Sequence, residues 1–285
     1  MLFWGAQPIG IAVLRGMPAS ALAFYKIFSA AISLALFLAI TRQFPRFGKL
    51  GRGTLLLLLA AASGLGVSYL LYNASFRYIS PTNVQVYYQS SRIFLALGGI
   101  LFFREPFSRA QWAGLATLCL GLLLFFHNQL SPGEHYFQGV GMVIVSALTW
   151  AGYAMVQKYL LPRVPPLAVL LFVYAVLSLA LAPFSHLAPL GSLGLPQWIA
   201  LSFVCLTNVM AFGCFSLSLK HWDSSKIGAL SCLTPLLTMA LMAALAGTVL
   251  PGVAPESLGI VAILGALLAI SGTAVVAFFG TRVPG

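Results

Sequence analysis

Acid is what this chain has least of. Only four of its 285 residues are Asp or Glu, and Glu105, Glu134, Asp223 and Glu256 all fall at or near the ends of apolar stretches. No carboxylate is therefore available mid-membrane to carry a proton or to hold a cationic drug, which counts against cation export. Charge of either sign is scarce: 7% of residues are charged, against about 25% in an ordinary soluble domain. With 60% hydrophobic residues and a mean hydropathy of +0.99, a soluble fold is excluded. The few histidines, His127, His135, His186 and His221, also sit at stretch ends, as interfacial rather than relay residues. Cys119, Cys205, Cys214 and Cys232 lie inside apolar runs without metal-ligand spacing, so they read as packing residues rather than a disulfide or zinc set. A polytopic membrane enzyme would need clustered acids, histidines or a nucleophile beside its base, and the apolar stretches hold no such cluster. No motif implies a cofactor.

What is present is a run of ten apolar stretches, predicted as spans over 1–15, 19–41, 54–76, 82–103, 109–127, 137–157, 165–184, 197–219, 225–248 and 256–280. They are continuously apolar rather than alternating, which predicts helices and not barrel strands. At about 20 residues per span, ten spans leave no room for a soluble domain. The first span is short and has no basic head, so a cleavable leader is disfavoured and the chain is expected to begin inside its first helix.

The ten stretches form two sets of five with landmarks in the same order. Trp4-Gly5-Ala6 answers to Trp150-Ala151-Gly152, and Pro18, eight residues before Lys26, answers to Pro166, eight before Tyr174. Phe76-Arg77 answers to Leu219-Lys220, and Gly114 and Gly121 keep the seven-residue interval of Gly265 and Gly272. This divides the chain into a first five-helix repeat over 1–130 and a second over 131–285. An odd number of crossings turns the second copy upside down in the membrane. Inverted repeats are a common plan of secondary transporters, with the solute bound where the halves meet.

The net charge of +11 is not a nucleic-acid footprint. Arg42, Arg46, Lys49, Arg52, Arg104, Arg109, Lys158, Arg163, Lys220, Lys226 and Arg282 lie in the even-numbered connections and the C-terminal tail, 11 of the 15 basic residues. The odd-numbered connections hold only Arg15 and Arg77. By the positive-inside rule the even connections and both termini are cytoplasmic. The partners implied are a lipid bilayer and a small-molecule solute, with the chain a monomer or homodimer.

Two basic residues fall within spans. Arg92 lies about ten residues from either end of the fourth span, and Gln85, Tyr88, Gln89 and Arg92 recur at helical spacing on one face. An ionisable group at that depth costs at least about 2.5–3.5 kcal/mol, so it faces a cavity or finds a partner. A guanidinium there either binds a carboxylate or phosphate of the solute, or is structural, bonded to helix-end carbonyls or glutamines. Lys26 either snorkels to the outer surface or faces the solute. Tyr69, Tyr72, Asn73 and Phe76 make a second polar-aromatic stripe; Trp4 with Gln7, and Trp150 with Tyr153 and Gln157, share helical faces. Such faces serve as core, as interface belt or as a ligand wall. Asn208 and Thr234 either bond across helices or line a cavity. The candidate solute site is thus Arg92, Gln89, Tyr88, Gln85, Lys26, Trp4, Gln7, Tyr72, Asn73, Trp150, Tyr153 and Asn208. The close-packing pairs Gly64 and Gly66, Gly98 and Gly99, Gly114 and Gly121, and Gly265 and Gly272 predict helix contacts.

These landmarks resemble the drug/metabolite transporter superfamily, EamA type. The likeness is carried by Trp4-Gly5 and Trp150-Ala151, by the basic Lys26 in the second helix, and by Ala74 to Asn83 before the fourth helix. Phe102-Phe103-Arg104-Glu105-Pro106 resembles the family's acidic corner, and Ile263 to Gly272 its closing helix. The resemblance implies ten helices in two inverted repeats and solute transport. Two departures stand out. Arg92 takes the place of a proline common midway along the fourth helix, whereas Pro235 keeps its counterpart in the ninth. Thr248 falls opposite Glu105, so the second half lacks the acidic corner. The expected function is a secondary transporter of a small organic solute, an exporter of amino acids or related metabolites by alternating access. The alternatives are a multidrug or cationic-compound exporter and a membrane enzyme.

Overall fold

The computed structural model describes residues 2–45, 50–127, 135–185, 188–221, 233–245 and 259–279. Arg46, Lys49, Glu134, His186, Asp223, Lys226, Cys232, Thr248, Glu256 and Arg282 lie outside them, as does the expected boundary at 130/131.

All the long elements are helices. They are α1 (Leu2–Val13), α2 (Ala19–Ile40), α3 (Arg52–Ser75), α4 (Pro81–Tyr87), α5 (Ser90–Phe103) and α6 (Arg109–His127), then α7 (Tyr136–Leu160), α8 (Pro166–Leu181), α9 (Leu195–His221), α10 (Leu233–Leu245) and α11 (Ile260–Phe278). Short 3-10 turns at Ala182–Phe184 and Ala188–Ser192 link α8 to α9. Since α4 and α5 together make one interrupted span, Pro81–Phe103, the ten expected spans are present. Eight are long and apolar enough to cross a membrane, and Leu2–Val13 and Thr234–Leu245 are shorter apolar helices. The starts are set by local chemistry. Pro18 precedes α2, Pro165 and Pro166 open α8, and at α4 the Ser80 hydroxyl accepts from the Asn83 N–H with Pro81 in the first turn.

The chain is a multi-pass membrane protein. Leu101, Leu123 and Leu179 stand on its outside with 65–77% of their surface exposed, which suits lipid and not water.

The packing between elements is symmetric under exchange of the halves. α3 packs on α7 as α1 packs on α9; α5 packs on α7 as α1 packs on α10; and α2 packs on α9 as α3 packs on α8. Three pairs map onto themselves, α2 with α8, α4 with α10 and α6 with α11. The last pair shows the operator. A Cβ on Gly114 would meet the Gly272 carbonyl at 2.9 Å, and a Cβ on Gly265 would meet the Gly121 carbonyl at 2.9 Å. Because Gly114 and Gly121 answer to Gly265 and Gly272, each glycine faces the other half's opposite member across antiparallel helices. Such a self-complementary contact is what a two-fold axis across the helices produces.

The connections sort by parity. Arg77 of the third connection donates to Met17 O of the first, Ser20 beside the first bonds Phe184 O of the seventh, and Gly139 near the fifth packs on Tyr78 and Ile79. At the opposite end Lys158 pairs with Glu105, joining the fourth connection to the last turn of α7. Arg42, Arg52, Arg104, Arg109, Lys158 and Arg163 are at that end; among described residues only Arg15 and Arg77 lie opposite.

Candidate functional site

A cavity of about 90 Å³ lies where the halves meet, room for several waters or a small organic solute. Its wall comes from α1, α2, α3 and the interrupted fourth span of the first half and from α7, α9 and α10 of the second.

The fourth span is not the continuous helix expected from sequence. Helical bonding gives way at Tyr88 and Gln89, where Gln89 N donates to Val86 O, Ser91 N to Tyr88 O and Arg92 N to Gln89 O, all tighter three-residue bonds. The break leaves Gln85, Tyr88, Gln89 and Arg92 on one side, and all four line the cavity. Arg92 is the third residue of α5, as Pro235 is the third of α10, so both resembling positions sit in the first turn of a helix. Proline is tolerated there because its missing N–H would lack a helical partner anyway. Arg92 is half-buried, with its guanidinium 5.8 Å from the centre of the Trp150 ring.

Across the cavity, Pro8 interrupts α1. Having no N–H, it releases the carbonyl four residues back, which belongs to Trp4. Gln85 Nε2 donates to that oxygen at 3.2 Å and to the Tyr72 hydroxyl at 3.2 Å. One residue on, Thr238 donates to Gly5 O at 2.6 Å, tying α10 to the same stretch of α1. A proline in one half thus anchors a glutamine of the fourth span at the wall.

Lys26 does not snorkel. It is 1% exposed, on the α2 face shared with Ala23, Ile27 and Ala30, all buried, while Phe28, Ile32 and Leu36 face outward. Its ammonium donates to Gln7 Oε1 at 3.4 Å and Asn73 Oδ1 at 3.3 Å, and stands 5.0 and 5.9 Å from the Tyr69 and Tyr72 ring centres. The burial follows from packing: α3, α8 and α9 pack around α2, Gln7 of α1 reaches the ammonium, and Asn208 Nδ2 donates to the Lys26 carbonyl at 3.2 Å. The side chain has no short route to a headgroup.

Nine of the twelve candidate residues line the cavity: Trp4, Gln7, Lys26, Tyr72, Gln85, Tyr88, Gln89, Arg92 and Trp150. The other three stand behind it. Asn73 holds Lys26; Asn208 accepts from the Tyr69 hydroxyl at 2.7 Å; Tyr153 is buried in the core among α2, α3, α7 and α8. Thr234, left open between two roles, lines the wall, as does Pro235. Tyr69 belongs to the α3 stripe, four residues before Asn73, and lines the wall although it is not among the twelve. Ser68 and Phe212 were missed. Ser68 shares a hydrogen bond with Ser146 at 3.0 Å, and Phe212 meets Trp4 edge-on with ring centres 5.4 Å apart. A lone serine or phenylalanine in an apolar run carries no pattern that marks it.

Among the described residues no group of His, Cys, Asp or Glu could hold a metal. Cys119 and Cys205 are free thiols.

With this arrangement in view, likeness to known proteins becomes specific. The profile of the EamA-like transporter family matches residues 1–127 and again 137–278. The chain belongs to that family, as its motifs predicted. It is 31% identical over 240 residues to an uncharacterized transporter of Haemophilus influenzae, covering 83% of this chain and 78% of the relative. It is 29% identical over 242 residues to the uncharacterized inner membrane transporter YhbE of Escherichia coli K12, covering 83% and 75%. A Salmonella typhimurium protein named a probable amino-acid metabolite efflux pump is 24% identical over 176 residues, 58% of this chain and 59% of that one. A solved crystal structure shares the fold with a TM-score of 0.66 at 18% identity, covering 99% of this chain and 95% of its own.

Proposed function

We propose that the chain is a secondary carrier for a small organic solute, an exporter of an amino acid or related metabolite in a bacterial-type inner membrane. The observation that supports this most is one cavity between the halves, walled by Lys26, Arg92, two tryptophans and three tyrosines. Alternating access then follows from rocking one half against the other around that cavity. Lys26 and Arg92 take an anionic group, Gln85, Gln89 and Tyr88 place it, and Trp4 and Trp150 face the apolar part. The name of the Salmonella relative and the inner-membrane relative in Escherichia coli agree with this reading. Reconstituted protein should move one class from a panel of labelled amino acids, sugars, nucleotide sugars and cationic dyes. Movement of dyes alone would sink the choice of solute.

The domains run over 1–130 and 131–285, with the even connections and both termini in the cytoplasm. Arg42, Arg52, Arg104, Arg109, Lys158 and Arg163 at one end against Arg15 and Arg77 at the other support this orientation. A reporter active only in the cytoplasm should give signal when fused at Arg46 or Arg282 and none at Gly133.

A further inference from the structure

We infer that the solute is a net anion: a carboxylate with no free ammonium beside it, rather than a zwitterionic amino acid. The inference rests on the carrier reading and narrows its substrate class.

It follows from counting donors and acceptors at the wall. The described lining contains no Asp or Glu. Lys26 has three N–H donors, and the protein gives it two long bonds to neutral amide oxygens, Gln7 Oε1 and Asn73 Oδ1. Gln89 is 4% exposed, and its Nε2 has no hydrogen-bond partner among the described residues. Arg92 brings further N–H groups to the same wall. Donors and positive charge therefore concentrate where a carboxylate would sit, and charge-assisted hydrogen bonds of this kind are about twice as strong as neutral ones.

An ammonium needs acceptors instead, and four of those at or behind the wall already take a donor from the protein, which leaves it chiefly the neutral amide oxygens of Gln85 and Gln89 and no carboxylate among the described residues. Gln7 Oε1 is taken by Lys26, Trp4 O and the Tyr72 hydroxyl by Gln85, and Asn208 Oδ1 behind the wall by Tyr69. Aromatic faces can also hold an ammonium. The Tyr69 and Tyr72 rings already carry the Lys26 ammonium, however, and the Trp150 ring carries the Arg92 guanidinium. A free amino group would be desolvated next to two like charges.

The test is calorimetric titration of the purified full chain in detergent with three probes sharing a phenyl ring, suited to the aromatic wall. These are 3-phenylpropionate, phenylalanine and 2-phenylethylamine. The carboxylate should bind at least tenfold more tightly than phenylalanine, and the amine should give no heat. N-acetylphenylalanine, which blocks the ammonium, should regain the affinity of the simple acid. In Lys26→Gln the preference for 3-phenylpropionate over phenylalanine should collapse toward parity. Phenylalanine binding as tightly as 3-phenylpropionate overturns the inference, as does no binding of either acid or an unchanged preference in Lys26→Gln. If that variant does not fold, the probe series on the unaltered chain still decides. The carrier reading is judged separately, by solute movement in liposomes.

Discussion

The halves meet in two ways, at a seam and at a cavity. Along α6 and α11 the seam uses matching residues, with Gly114 and Gly121 crossing Gly272 and Gly265 so that backbone lies against backbone. Among the described wall residues the halves share one identical pair, Trp4 and Trp150, and one related aromatic pair, Tyr69 and Phe212. The cations are one-sided: Lys26 answers to Tyr174 and Arg92 to Pro235, neither of which carries charge. Tyr174 is buried behind the wall and shares a 3.3 Å hydroxyl contact with Tyr69. The difference separates two demands on a duplicated fold. Closure needs the same small residues twice, because lipid supplies no hydrophobic force between helices and only close packing holds them. A site for an asymmetric solute needs the copies to differ.

The seam gives the largest expected effect. Gly121→Leu would drive a side chain into the Gly265 carbonyl, 2.7 Å from the position of a Cβ, and into the Ala269 backbone. Rigid backbone cannot give way as a side-chain tip does. Overpacking of this kind costs about 1–3 kcal/mol and at times more, in proteins with little stability to spare. The variant should lose most of its monodisperse fraction on size-exclusion chromatography and melt at lower temperature. A wild-type melting curve would mean that the seam is not close-packed.

The cavity should respond in the opposite sense, with function falling while the fold persists. Arg92→Gln removes charge and the planar fork but keeps hydrogen-bonding ability. Since a hydrogen bond to a charged group is worth about 1.5–3 kcal/mol, solute affinity should fall about tenfold to a hundredfold. Lys26→Met should lose at least as much. It should also melt no lower than the parent, because it removes a buried ammonium held only by neutral partners. Normal transport by Arg92→Gln would refute the anion site. Loss of the fold in both variants would make the two cations structural.

Much of this was legible in the sequence, for reasons that differ by residue. Span positions follow from apolar length, and the predicted 109–127 coincides with α6. The glycine seam was visible because an interval of seven keeps two residues on one helical face. Arg92, Gln85, Tyr88 and Gln89 were found because a polar face inside an apolar span stands out. What stayed hidden depended on tertiary arrangement. The burial of Lys26 is decided by the three helices packed on α2, not by its depth along α2. The break at Tyr88 and Gln89 has no proline or glycine to mark it. Asn73, Asn208 and Tyr153 share helical faces with wall residues yet stand one layer back, and no one-dimensional pattern encodes that depth.

The smallest expected effect tests how the cavity wall is tied together at α1, away from the seam. If Pro8 frees the Trp4 carbonyl and Gln85 satisfies it, the two residues are energetically coupled. Gln85→Leu alone leaves that oxygen without its donor in a membrane interior and should cost about 1–3 kcal/mol. Pro8→Ala alone restores an N–H at the position that bonds the carbonyl four residues back, so the oxygen gains an intrahelical partner. In the double variant the loss of Gln85 should cost less than in the parent, by about 0.5–3 kcal/mol, the usual range for residues in one network. Thermal melting of the four proteins closes the cycle. Strict additivity would show that Trp4 O does not depend on Gln85, and that the glutamine is held at the cavity by Tyr72 alone.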